Sequence, residues 1–257
     1  MDNNNQNQFY NYDDSTWANC APRRSANPFE QAAPAAVSYS TYVAQTYLWM
    51  FLGLLVTFGI AYGMAASGIA YRMLAGAGSA ALVIVAILEF ACVIAMGALI
   101  NKISPAVAAA FFLVYAALTG VTFSMYFLWF DLSFLVLVFG VTALFFGGMA
   151  AVSLIFKLQL DTIRPFLFGG LILLIVFGIL SFFLRLGALE TGMCYLGIAI
   201  FLGYTAYDTS KIRENYLFYA GNAALLKKAS IYSALQLYLD FVNLFLYIMR
   251  ILGRRRD

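Results

Sequence analysis

The chain has 257 residues, of which 63% are hydrophobic and only 11% charged, against about a quarter charged in ordinary soluble domains. Its formal charge of +3 is small and spread out, which offers nothing to nucleic acid. It also contains no histidine, so the usual general base and the usual transition-metal ligand are both missing. Cys20, Cys92 and Cys194 lie too far apart for a Cys-x-x-Cys pair or a disulfide framework. The composition is that of an all-α polytopic membrane protein in a lipid bilayer, and no resident cofactor is expected.

Residues 1–40 are a different material. Asn3, Asn4, Asn5, Gln6, Asn7 and Gln8 open the chain, and Pro22, Pro28 and Pro34 interrupt the residues after them. Without apolar periodicity this stretch reads as a disordered tail, and no run within it is apolar enough for a signal peptide. Seven apolar runs come next, at about 42–67, 80–100, 105–129, 132–156, 166–186, 190–212 and 229–252. Each reaches the roughly 20 residues that a helix needs to cross a bilayer. They define one domain of seven transmembrane helices over residues 41–253, with a short basic tail at 254–257.

Breaks are expected at Gly68–Gly78, Asn101–Pro105, Asp131, Lys157–Pro165 and Gly187. Pro105 and Pro165 suit the first turns of the helices they begin. Gly59 and Gly63, four apart, predict a small face on which the first helix packs closely. With the N-terminus inside, nine Lys and Arg residues fall on the inner side and six on the outer, which favours that orientation. Arg254, Arg255 and Arg256 then lie on the outer side if the last run spans, or return inside if it only dips into the bilayer. Length favours spanning.

The last run carries Asp240 near its middle. At about 100° per residue, Ser233, Gln236, Asp240, Asn243, Tyr247 and Arg250 share one polar stripe. An aspartate at the bilayer centre costs about 3 kcal/mol on insertion scales. The twelve Leu, Ile, Val and Phe residues of this run return only about 4–7 kcal/mol on the same scale. The helix therefore needs the other six around it. Phe241 and Leu244 are expected to pack on its neighbours.

Of the twelve acidic residues, nine read as tail or loop; the exceptions are Glu89, Asp208 and Asp240. Carboxyl groups inside a membrane are functional candidates by default. If the chain turns near Gly221–Asn222, counting about 1.5 Å per residue brings Asp208 and Asp240 to overlapping depths. Two such groups away from water tend to share one proton. Glu89 is expected to pair with Arg250.

The segments Gly203-Tyr-Thr-Ala-Tyr-Asp208-Thr-Ser-Lys-Ile212 and Leu237-Tyr-Leu-Asp240-Phe-Val-Asn243-Leu-Phe-Leu-Tyr-Ile-Met-Arg250-Ile-Leu-Gly253 resemble the Bax inhibitor-1 family, above all its bacterial branch. The resemblance runs from Tyr42 to Gly253 and is most specific in the last fifty residues; Glu89 also fits the family pattern. It implies seven helices with the last one central between two groups of three, in a bacterial cytoplasmic (inner) membrane. It implies a pH-sensitive calcium leak, with Asp208 and Asp240 as the proton-sensing pair and as weak, transient ligands of Ca²⁺. It further implies that Arg250 and Glu89 join a polar network with Gln236, Asn243 and Tyr247 of the stripe, and a link to membrane proteolysis that makes a membrane protease a candidate partner.

Two other functions compete. A non-conducting regulator of a membrane protease or channel would fit the same chain and use the N-terminal tail. An intramembrane aspartyl protease also places two aspartates on its sixth and seventh helices, the first after a tyrosine as in Tyr207-Asp208. Such proteases carry Gly-x-Gly-Asp at the second position and a later Pro-Ala-Leu. Here the second position reads Tyr238-Leu-Asp240 and no proline comes after it. No enzymatic activity is therefore expected.

Overall fold

The structure is a computed structural model in which residues 37–99, 102–156, 160–184 and 187–254 are described. The tail assigned to residues 1–40 lies outside them as far as residue 36. Seven helices are long and apolar enough to cross a membrane. They are α1 (Tyr39–Ala66), α2 (Ile69–Leu99), α3 (Pro105–Ser124), α4 (Leu132–Phe156), α5 (Arg164–Leu184), α6 (Gly187–Tyr219) and α7 (Ala223–Arg254). A single helical turn, Tyr126–Trp129, extends α3. The chain is a multi-pass membrane protein, as its composition requires.

The helix ends reflect local chemistry. Ser104 accepts a hydrogen bond from the Val107 amide, with Pro105 in the first turn of α3. Asp131 Oδ1 accepts from the Phe134 amide at 2.7 Å and starts α4. Asn222 Oδ1 accepts from the amides of Ala224 and Leu225, so the turn between α6 and α7 falls where Gly221 and Asn222 predicted it. The α1–α2 connection departs from expectation. Only Ser67 and Gly68 interrupt the helices, with Gly68 at φ +70°, and the glycine-bearing stretch up to Gly78 continues α2 as helix. Each glycine costs a helix about 1 kcal/mol, but the alanines between them favour it. Likewise α6 runs seven residues past Ile212, and α7 starts six before Ala229. Polar residues end an apolar run without ending a helix.

α7 is the centre. It packs against α1, α3, α4 and α6, while α2 closes on α1 and α3, and α5 on α6. The surround is thus two groups of three, α1–α3 and α4–α6. Leu237, Tyr238, Phe241, Leu244 and Phe245 of α7 are all buried. Phe241 meets the rings of Phe139 and Phe146, and Phe245 those of Phe58 and Phe123. Tyr238 sits edge-on to Phe112 and Tyr115 and hydrogen-bonds Thr57 at 2.5 Å, which satisfies its hydroxyl in a dry interior.

Close approach uses other glycines than Gly59 and Gly63, which have nothing within 4 Å of a Cβ position and face outward. At Gly120 of α3 a Cβ would stand 2.9 Å from both the Thr57 carbonyl oxygen and Ile60 Cβ of α1. The prediction is direct. Gly120→Val should lower unfolding stability by about 1–3 kcal/mol through overpacking, seen as a lower thermal midpoint in detergent. Gly59→Ala and Gly63→Ala should each stay within about 0.5 kcal/mol of the parent.

Candidate functional site

The polar stripe of α7 faces α6 at its N-terminal half. Ser233 is buried and accepts a hydrogen bond from Asn215 of α6 at 3.1 Å. Gln236 is half-buried, and Asp240 is 3% exposed. Opposite it on α6 lies Asp208, 7% exposed, and the two carboxyl groups interact side chain to side chain. One oxygen, Asp240 Oδ2, is buried with no hydrogen-bond partner among the described residues. Two carboxyls thus meet in a nearly dry interface without enough donors for both. A charge buried there is costly unless it is paired or hydrogen-bonded.

Asp208 lines a cavity of about 820 Å³ between α5, α6 and α7. The cavity opens on the face from which α1 starts. Tyr204, Tyr207, Tyr232 and Gln236 line its inner part, and Lys228, 8% exposed, lies in its wall and donates to the Ile103 carbonyl at 3.2 Å. Beyond Asp240 lies the ring cluster around Phe241 and Phe245. The aspartates therefore stand at the boundary between a polar cavity and a dry core.

Lys211, one helical turn after Asp208, forms ion pairs with Asp161 at 2.6 Å and with Glu214. It lies between this cavity and a second of about 620 Å³, lined from α1, α4 and α6, and faces both. Neither Lys211, Asp161 nor Lys228 was singled out by the sequence. The available signal was spacing: Lys211 comes three residues after Asp208 and so shares its face.

The remaining network divides. Asn243 donates to the Leu239 carbonyl of its own helix at 2.8 Å. Tyr247 lies against Gly197 and stacks on Phe201, with the Arg250 guanidinium 5.5 Å from its ring centre. Arg250 is exposed. Glu89 accepts a hydrogen bond from Thr122 of α3 at 2.8 Å. It makes no ion pair with Arg250, so the expected pairing is corrected. The reason is proximity: Thr122 lies on the helix packed against α2, whereas Arg250 ends against Tyr247. At that end of the molecule the ion pair is instead Arg254 with Glu190 at the start of α6, and Arg254 also donates to Thr191 at 2.8 Å.

The family model described as inhibitor of apoptosis-promoting Bax1 matches residues 39–257. The inner membrane protein YbhL of Escherichia coli K12 is 38% identical over 217 residues, covering 84% of this chain and 92% of that protein. Uncharacterized protein RP147 of Rickettsia prowazekii is 34% identical over 216 residues, with 84% and 90% covered. An uncharacterized protein of Borreliella burgdorferi is 32% identical over 216 residues, with 84% and 93% covered.

This geometry sets two expected outcomes. Lys211→Met should change global stability by less than about 1 kcal/mol, because its partners are largely exposed. It should speed amide exchange at residues 161–163, which the ion pair holds to α6. Thr122→Val should cost about 1 kcal/mol or more by removing a hydrogen bond to a half-buried carboxyl, whereas Arg250→Gln should stay within about 0.5 kcal/mol. Thermal midpoints of the purified variants check both.

Proposed function

The chain belongs to the Bax inhibitor-1 family, and on that footing we propose that it is a pH-sensitive calcium leak whose gate is the Asp208–Asp240 pair. Its place is a bacterial inner membrane, in keeping with the name of its relative YbhL. With the N-terminus inside, the polar cavity opens to the cytoplasm. The observation that carries the reading is the contact of two buried carboxyls, one of which, Asp208, lines that cavity.

The mechanism runs through α6 and α7. While one proton is held between the carboxyls, the helices stay together and the rings around Phe241 and Phe245 keep the core dry. As pH rises the proton leaves through the cavity. Two unit charges roughly 4 Å apart then repel by about 4 kcal/mol at an effective dielectric near 20. The lost hydrogen bond adds about 1–3 kcal/mol. Together these match the roughly 5.5 kcal/mol that moves a two-state equilibrium from 1:99 to 99:1. The helices part at the aspartates, and the freed carboxylates offer hard oxygen ligands to Ca²⁺. Two ligands bind it weakly, and a conducting site must release its ion.

Calcium flux into liposomes containing only this chain should rise between pH 6 and pH 8. Asp240→Asn keeps the shape of the pair and removes its titration, so its flux should be flat over the same range. A variant that followed the parent's pH profile would overturn the gate. Absence of flux at every pH would remove the leak itself and leave a non-conducting regulator, for which a membrane protease is the partner to test.

A further inference from the structure

The cavity between α5, α6 and α7 is walled by tyrosines. On α6, Tyr204, Asp208, Lys211, Asn215 and Tyr219 follow one another at steps of three and four and so share one face, with Tyr207 beside them. On α7, Leu225, Ala229, Tyr232 and Gln236 do the same from the facing wall. Tyr204 and Tyr232, one from each helix, stand close enough to Asp208 to feel its charge. Aromatic rings present a negative face, and a carboxyl among several of them is a setting that holds organic cations. One ring already does so within the protein: the Lys211 ammonium lies 5.5 Å from the centre of the Tyr207 ring.

The charged groups of the lining are Asp161, Arg164, Asp208, Lys211 and Lys228. Lys211 is held by Asp161 and Glu214, so that trio carries a net negative charge. Lys228 donates to the Ile103 carbonyl, which lies outside the lining. Arg164 is exposed at the start of α5, where water and salt screen it. Asp208 and Asp240 together carry one negative charge while they share a proton and two when they do not, so either state attracts a cation. The charge that favours Ca²⁺ at Asp208 favours other cations too, and the rings select those with an apolar surface.

The rim supplies the apolar side. Phe168 is 60% exposed and Leu225 37%, and both line the cavity, so its wall continues onto the surface that meets lipid chains. α5 packs on α6 and has little direct contact with α7, which leaves a way in from the bilayer between α5 and α7. The volume of about 820 Å³ is that of a site for a drug-sized molecule. We propose that this cavity binds a lipophilic organic cation, its charge held at Asp208 among Tyr204, Tyr207 and Tyr232 and its apolar groups directed toward Phe168. The site stands on the cavity alone, whether or not the chain conducts calcium.

The test is equilibrium dialysis of the full chain in detergent at pH 8 against tetraphenylphosphonium and tetraphenylborate, which share a shape and differ in the sign of their charge. The cation should bind saturably and about tenfold more tightly than the anion. Asp208→Asn and Tyr232→Leu should each weaken it several-fold without altering the helical content, while Tyr195→Leu, at an exposed position outside the lining, should leave it unchanged. If the buried Asp208 variant fails to fold, Tyr232→Leu, at a half-buried position, decides alone. Equal affinity for the two ions would overturn the cation site and leave an apolar pocket indifferent to charge. Cation binding unchanged in Tyr232→Leu would equally overturn it. Calcium flux into liposomes is a separate readout, so failure of the leak and failure of this site are told apart.

Discussion

A carboxyl group in the middle of a membrane helix has to be kept away from lipid, and most of the fold answers that requirement. Asp240 would cost a lone α7 about as much as several leucines return. Surrounding α7 with two groups of three helices removes the exposure, and the same surround buries Leu237, Phe241, Leu244 and Phe245. Within it, Asp240 meets a second carboxyl rather than a cation. A counter-ion would have fastened the helices permanently. In the proposed leak Asp208 fastens them only while a proton is present, and that condition would distinguish a gate from a strut.

The two ends of the molecule are built differently. On the side where α1 starts, polar side chains surround water-accessible cavities: Lys211 is clamped by two carboxylates, and Lys228 is buried in the wall. Between the ends the interior is aromatic, with ring contacts passing from α1 and α3 through α7 to α4. The cavity lined by Asp208 lies on the α1-start side of these rings. On the other side of Asp240 the rings of Phe241 and Phe245 pack against those of Phe139, Phe146, Phe58 and Phe123.

Much of this was legible in the sequence, and the reasons are physical. Seven spans, the α6–α7 turn at Gly221–Asn222 and the shelter of α7 all come from hydropathy and turn chemistry, which act locally. The meeting of Asp208 and Asp240 was legible because one tight hairpin fixes the depth of both. Pairing Glu89 with Arg250 failed because depth alone does not say which helix lies next to which. Thr122 is nearer because α3, not α7, packs against α2. The close contact at Gly120 was invisible for the same reason, since a glycine's neighbours belong to another helix. The cavity escaped notice because Arg164, Lys211 and Lys228 read as ordinary loop charges until α6 and α7 proved longer than their apolar runs.

The ion pair between Arg254 and Glu190 has a mechanical meaning. It ties the last turn of α7 to the first turn of α6, while the capped turn at Asn222 joins their other ends. The pair is thus two rods pinned at both tips, with Asp240 near the midpoint of its rod. Rods held in this way do not swing apart like scissors; pushed from the middle, they bow. The gap is then widest at the carboxyls and narrows toward each pin. In the proposed gate the size of that gap would be limited by the stiffness of the helices rather than by the strength of the push.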